Sequence, residues 1–239
     1  MEFPGSAYAA AFGRRVEMEV KQAFEEDGGT EDVGLFARTA RFVLLVMLYG
    51  AIMGSYGIWG SDAVLGAGVL QMVYSAVKVP LLIGATFLLG LPSLFVFYAL
   101  AGLADEFRRV LSILLGTQMI FALVLVSLSP FVLLAYVSTD VYVHGVLANT
   151  VAFGVAAVIW QGMLRRRFRT LIAANPRHRF LLMLWFVLYV FTGVQAGWTL
   201  RPFIGNPGAA VEFFRSDGWG NAWVEVWDIL LAGLRALFE

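Results

Sequence analysis

Chemistry inside a membrane needs polar side chains, and of those in or beside the long apolar runs of this sequence four stand out: Lys78 and the amides Gln118, Asn149 and Gln195. Lys78 is the ionisable one. Beside Pro80 at one end of an apolar run, it can reach water along its stem, pair with Asp62, or serve a pore or bound substrate. The three amides are neutral, and their ordinary use is a hydrogen bond between helices worth about 0.6 kcal/mol each. Ion-coupled transport asks for an acid or base at mid-membrane that binds and releases the ion, and no run carries one there. Two histidines, His144 and His178, belong to different regions, so neither a bis-histidine haem nor a zinc triad can be drawn from opposed helices. There are no cysteines, which excludes disulfides and thiolate ligands or nucleophiles. No GxSxG elbow, HExxH helix, phosphate loop or dinucleotide fingerprint occurs. The expectation is a protein with no catalytic residues, no metal and no cofactor. Asp62, Lys78, Asp140 and Arg201 are the sole candidates for an outer-face lipid enzyme.

The elements that must position these residues follow from composition. Hydrophobic residues make up 60% of the 239-residue chain and charged residues 14%, against about 45–50% and about 25% in soluble domains. This predicts an all-α polytopic transmembrane bundle. The knot Arg165-Arg166-Arg167-Phe168-Arg169 between two apolar runs marks a cytoplasmic loop by the positive-inside rule. Five spans are predicted, at about 41–59, 79–101, 110–137, 141–164 and 180–200. Arg14, Arg15, Lys21, Arg38, Arg41, Arg108, Arg109, the knot, Arg177 and Arg179 then fall inside, and Lys78, Arg201, Arg215 and Arg235 outside. The N-terminus is cytoplasmic and the C-terminus is not. The segment from Asp62 to Ala76 is too short to span by itself and reads as interfacial or re-entrant. Pro80 suits a first helical turn. Pro92 and Pro130 sit mid-run and should bend their helices, with Ser127 and Ser129 placed to satisfy backbone groups freed at Pro130.

Residues 1–37 form a polar arm in which Phe12, Val16, Val20 and Ala23 make one face of an amphipathic helix, and Thr30 is placed to cap the helix that follows. Gly50, Gly54 and Gly57, and again Gly193 and Gly197, give small-residue faces suited to close helix packing or to docking a partner. Residues 201–239 form an extracytoplasmic tail whose last helix, about 222–238, carries Glu225, Asp228 and Arg235 on one side with Trp219, Trp223 and Trp227 nearby. That pattern predicts a helix lying in the outer interface, the alternative being a sixth span.

Five closely spaced spans, a polar N-terminal arm and the sequence Lys78-Val79-Pro80-Leu81-Leu82 opening the second span resemble the Yip family of five-span membrane proteins. The resemblance covers residues 38–200 and implies a role in membrane organisation and trafficking without catalysis. Three functions follow as expectations. The leading one is a scaffold or accessory subunit that docks other integral membrane subunits through its small-residue faces and aromatic tail. The second is a small transporter or channel subunit with a polar path near Lys78, Gln118, Asn149 and Gln195. The third is the lipid enzyme. The expected partners are the lipid bilayer and other membrane subunits, nucleic acid is not expected, and the expected location is a bacterial inner membrane.

Overall fold

A computed structural model describes residues 31–59, 65–139, 141–205, 211–214 and 222–224, with the side chains of residues 31–36 excepted. The amphipathic arm, the Thr30 cap, Asp62, Asp140, Trp219, Trp227 and the charged stripe of the last helix lie outside the described residues. By contact the chain divides into residues 1–41, of which the first turns of one helix are described, and residues 42–239, which hold everything below.

The described residues form helices and no strands. Five of the helices are long and apolar enough to cross a membrane, and the chain is an integral membrane protein. Helix α1 covers Glu31–Gly54 and is followed after a bend at Ser55 by the single turn α2, Tyr56–Trp59. Ser55 makes that bend self-sufficient: its hydroxyl donates to the carbonyl of Ile52 at 2.8 Å and accepts from Trp59 Nε1 at 3.1 Å. Helix α3 covers Leu65–Leu100, α4 Phe107–Ser138, α5 Tyr142–Ala174 and α6 Arg177–Leu200. At 1.5 Å per residue α4 is about 48 Å long, well beyond the ~30 Å of hydrocarbon. Such helices tilt, bend or project from the bilayer.

Local chemistry explains the turns. Helix α3 ends in a Schellman motif: Gly102 adopts φ +71°, Leu103 N–H reaches the carbonyl of Tyr98 at 2.8 Å, and Gly102 N–H that of Ala99 at 3.1 Å. A 3₁₀ turn over Ala104–Glu106 then leads into α4. At Asn175-Pro176 the Asn175 side-chain oxygen accepts the Arg177 N–H at 3.0 Å, turning α5 into α6 as the Asn-Pro pair suggests. Between α4 and α5 Thr139 receives the Val141 N–H at 3.2 Å and contacts His144 Nδ1 at 3.1 Å, so its hydroxyl organises the turn without capping α5.

Two boundaries differ from the sequence expectation. The segment before Lys78 is no separate interfacial piece but the first three turns of α3, and Pro80 therefore lies inside a helix. Its missing N–H leaves the carbonyl of Ala76 without its helical donor. The arginine knot is likewise no loop: α5 runs unbroken through Arg165–Arg169 to Ala174, because nothing in Arg-Arg-Arg-Phe-Arg disfavours a helix and arginine is among the better helix formers. At Pro130 the freed carbonyl belongs to Val126, and Ser129 Oγ donates to it at 2.7 Å.

Packing divides the bundle interior into two clusters. One contains Val46, Tyr49, Val79, Leu125, Tyr136 and Ala156, and the other, towards the arginine-bearing end, contains Leu94, Val110, Leu114, Phe168, Leu181 and Trp185. The outer faces carry Leu88, Phe131, Leu134, Val158 and Phe180, each more than 60% exposed to the surroundings of the bundle. Lipid is the solvent that such faces require.

Candidate functional site

The polar residues predicted to do chemistry sit in four separate places. The most elaborate is where α6 ends. Helix α6 stops at Leu200, yet α3 continues past that level, and the chain leaving α6 fills the space beside α3 as irregular backbone, with a cis Arg201-Pro202 bond. Irregular backbone exposes carbonyls that have no helical partner, and at membrane depth each must be satisfied by protein. Gln71, Ser75 and Lys78, spaced four and three residues apart and so on one face of α3, supply the donors. Gln71 Nε2 lies 3.1 Å from the Pro202 carbonyl and 3.0 Å from that of Phe203, and Ser75 Oγ donates to the Phe203 carbonyl. Lys78 Nζ donates to Pro202 O at 2.9 Å and to Glu212 O at 3.3 Å. The ammonium also faces the Phe213 ring at 5.1 Å and the Tyr74 ring at 5.9 Å. From the α5 side Tyr142 OH donates to Ile204 O at 3.2 Å, and Ile204 itself is buried.

Lys78 is fully buried. It therefore does not snorkel to water, the course a lysine near a helix end ordinarily takes. Among the described residues its contacts are main-chain carbonyls and ring faces, so the ammonium clamps two segments of the tail, at Pro202 and at Glu212–Phe213. Gly205 makes room for this, since a Cβ there would lie 2.9 Å from Gln71 Cγ.

Asn149 anchors a second network. Its Oδ1 accepts from Tyr49 OH at 3.1 Å, and its Nδ2 donates to Tyr136 OH at 2.5 Å and to Gly145 O at 2.9 Å. Tyr136 OH passes the chain on to Met53 O at 2.9 Å. All three side chains are buried, and the network ties α1, α4 and α5 together with its amide groups engaged. The Tyr56 ring stands edge-on to Tyr136 and Tyr142 at 5.1 and 5.7 Å, closing the top of this cluster.

Gln118 reaches Tyr189 OH at 3.4 Å, joining α4 to α6. Gln195 accepts the Ala222 N–H at 3.0 Å, and one residue later Trp223 stacks on Phe191 with ring centroids 4.8 Å and planes 5° apart. Phe191 lies nine residues, about 13 Å, back along α6 from its end. The described start of the last helix thus packs down the side of α6.

The four predicted polar residues therefore have separate protein partners, and the structure does not bring them together. The small-residue faces are used within the chain. A Cβ on Gly54 would fall 2.7 Å from Gln71 O, one on Gly50 against the carbonyl of Ser75, and Gly57 faces Gly68 at 3.7 Å, so this face of α1 and α2 lies on α3. Gly193 meets Thr86 Cγ2 at 3.3 Å, and Gly197 meets Leu82 at 3.9 Å, placing the second pair on α3 as well.

At the arginine-bearing end the structure gives a setting to His178, which the sequence reading considered only as a metal or haem ligand. His178 is fully buried, with Nδ1 3.0 Å from Tyr98 OH. Its Nε2 approaches Glu106 Oε2 at 3.0 Å without good hydrogen-bond alignment. Arg177 reaches Ala101 O at 3.3 Å, so the first turn of α6 is fastened to the turn between α3 and α4. Among the described residues no cluster of three or more His, Asp or Glu has the arrangement of a metal site. Comparison with known protein families, with curated proteins and with solved structures finds no match.

Proposed function

We propose that this integral membrane protein is a non-catalytic scaffold or accessory subunit of a larger membrane assembly. The observation that carries the reading is the use of its polar residues: Lys78, Gln118, Asn149 and Gln195 each hold one helix or the tail to another. Groups engaged in that way build shape, and shape is what an accessory subunit offers.

An exposed small-residue face on α5 supports this reading. Thr150, Gly154 and Ala157, spaced four and three residues apart, lie on one exposed face, and a Cβ at Gly154 would meet nothing within 4 Å. Close approach of a partner helix is the use such a face supports in lipid, where van der Waals contact replaces the hydrophobic effect. The resemblance to the Yip family belongs to the same proposal, as does a bacterial inner membrane as the setting.

The test is gentle purification from native membranes into nanodiscs, followed by mass spectrometry of the subunits that travel with the chain. The reading expects at least one stoichiometric membrane partner, lost in Gly154→Leu while the bundle keeps its thermal stability. A chain that arrives alone, or only with copies of itself, refutes it.

A further inference from the structure

The arginines of α5 have a geometry that the membrane-spanning role does not use. The apolar part of α5, residues 142–164, covers about 35 Å, enough to cross the hydrocarbon, so Arg165–Arg169 emerge at the headgroup layer. Within the knot Arg167 behaves differently from its neighbours. Arg165, Arg166 and Arg169 are exposed, whereas Arg167 is half-buried and lays its guanidinium across the seam onto α4. Its Nη1 lies 3.0 Å from where a Cβ on Gly116 would be, so the guanidinium packs closely over the bare backbone of α4 there.

On the same face of α4 as Gly116, at spacings of four and three residues, stand Ser112 and Arg109, both exposed. Thr170, one turn beyond Arg167 on α5, is exposed too. Among the described residues no carboxylate pairs with Arg109, Arg165, Arg167 or Arg169, and neither Ser112 nor Thr170 has a hydrogen-bond partner. The nearby acids in sequence are Asp105 and Glu106, and Glu106 faces His178. A seam at headgroup depth thus holds a recessed guanidinium, a second arginine and two hydroxyl donors, with no anion supplied by its own side chains.

We propose that the mouth of the α4–α5 seam binds the phosphate of an anionic lipid headgroup. Arg167 holds it from below, Arg109 from the aqueous side, and Ser112 and Thr170 donate to its remaining oxygens. Arginine suits this role because its planar fork can present two parallel N–H groups to one phosphate.

The full chain, purified into neutral detergent, is titrated with phosphatidylglycerol, with phosphatidylcholine and with inorganic phosphate, and bound lipid is counted by native mass spectrometry. The expected result is one phosphatidylglycerol retained in preference to phosphatidylcholine and no equivalent effect of inorganic phosphate. Arg109→Gln and Arg167→Gln should each weaken retention about fivefold, and the pair about 30-fold, at the usual strength of one arginine near an anionic surface. Arg179→Gln, an exposed arginine at the start of α6 outside the seam, should leave it unchanged. Should Arg167→Gln fail to fold, exposed Arg109→Gln and Ser112→Ala carry the test alone. Equal loss in Arg179→Gln, undiminished retention in the seam variants, or inorganic phosphate displacing the lipid would each overturn the assignment.

Discussion

Replacing Gly54 by alanine should destabilise the bundle, whereas the same change at Gly84 should not. At Gly54 the added Cβ would lie 2.7 Å from Gln71 O, 2.8 Å from Met72 Cα and 2.8 Å from Ser75 Cβ, where ordinary contact begins at 3.4 Å. Two of these are backbone atoms of α3, so α1 must retreat by about 0.7 Å or tilt, and overpacking of this kind costs about 1–3 kcal/mol. Gly54 is the last residue of α1, where the helix-propensity gain from alanine is smallest, so little offsets that cost. At Gly84, inside α3, a Cβ meets nothing within 4 Å, and Gly→Ala there should be neutral or stabilising by up to about 1 kcal/mol. The assay is reversible unfolding in mixed micelles with denaturing detergent, comparing both variants with the parent. Equal stability of Gly54→Ala and Gly84→Ala would show that the α1–α3 contact is not as close as described, and the internal use of the first GxxxG face would fall with it.

Three further predictions concern the polar groups. Asn149→Leu leaves Tyr49 and Tyr136 without their amide partner and should cost about 1–2 kcal/mol in the same unfolding assay, at the upper end of what intramembrane hydrogen bonds contribute; a change below about 0.3 kcal/mol would mean that the network is not formed. Ser129→Ala should destabilise the parent by about 1 kcal/mol but have little effect in a Pro130→Ala background, where an N–H returns to the Val126 carbonyl; additive effects would contradict that coupling. Lys78→Met removes the clamp on Pro202 and Glu212, so hydrogen exchange should rise across residues 203–205 and 211–214 while α4 and α5 stay protected; unchanged exchange in the tail would remove Lys78 from its anchoring role.

Much of the fold was legible because lipid imposes a coarse rule: long apolar runs become helices and arginines collect at one end. Boundaries were less legible. The break expected near Lys78 rested on one charged residue and Pro80, but α3 continues because tail carbonyls satisfy the ammonium, a partner 124 residues away. The arginine knot looked like a loop because charge was equated with irregular backbone, whereas a helix leaving the bilayer can keep its hydrogen bonds and simply change its surface. At the polar sites, Gln71, Ser75 and Lys78 carried a readable signal, three polar residues on one face of an apolar helix. The roles of Tyr49, Tyr98 and Tyr136 did not, since a tyrosine in an apolar run reads as core and only its position in the bundle reveals what its hydroxyl meets.

The most direct test of the account is water accessibility along the bundle. The chain has no cysteine, so single cysteines can be introduced without further change at 118, 149 and 195, with position 179, exposed and outside the seam, as the reference. A membrane-impermeant thiol reagent applied to membrane vesicles from both sides should label position 179 readily and leave 118, 149 and 195 unlabelled. Labelling at all three would describe a continuous aqueous path through the bundle, contradict the internal use of its polar residues, and favour transport.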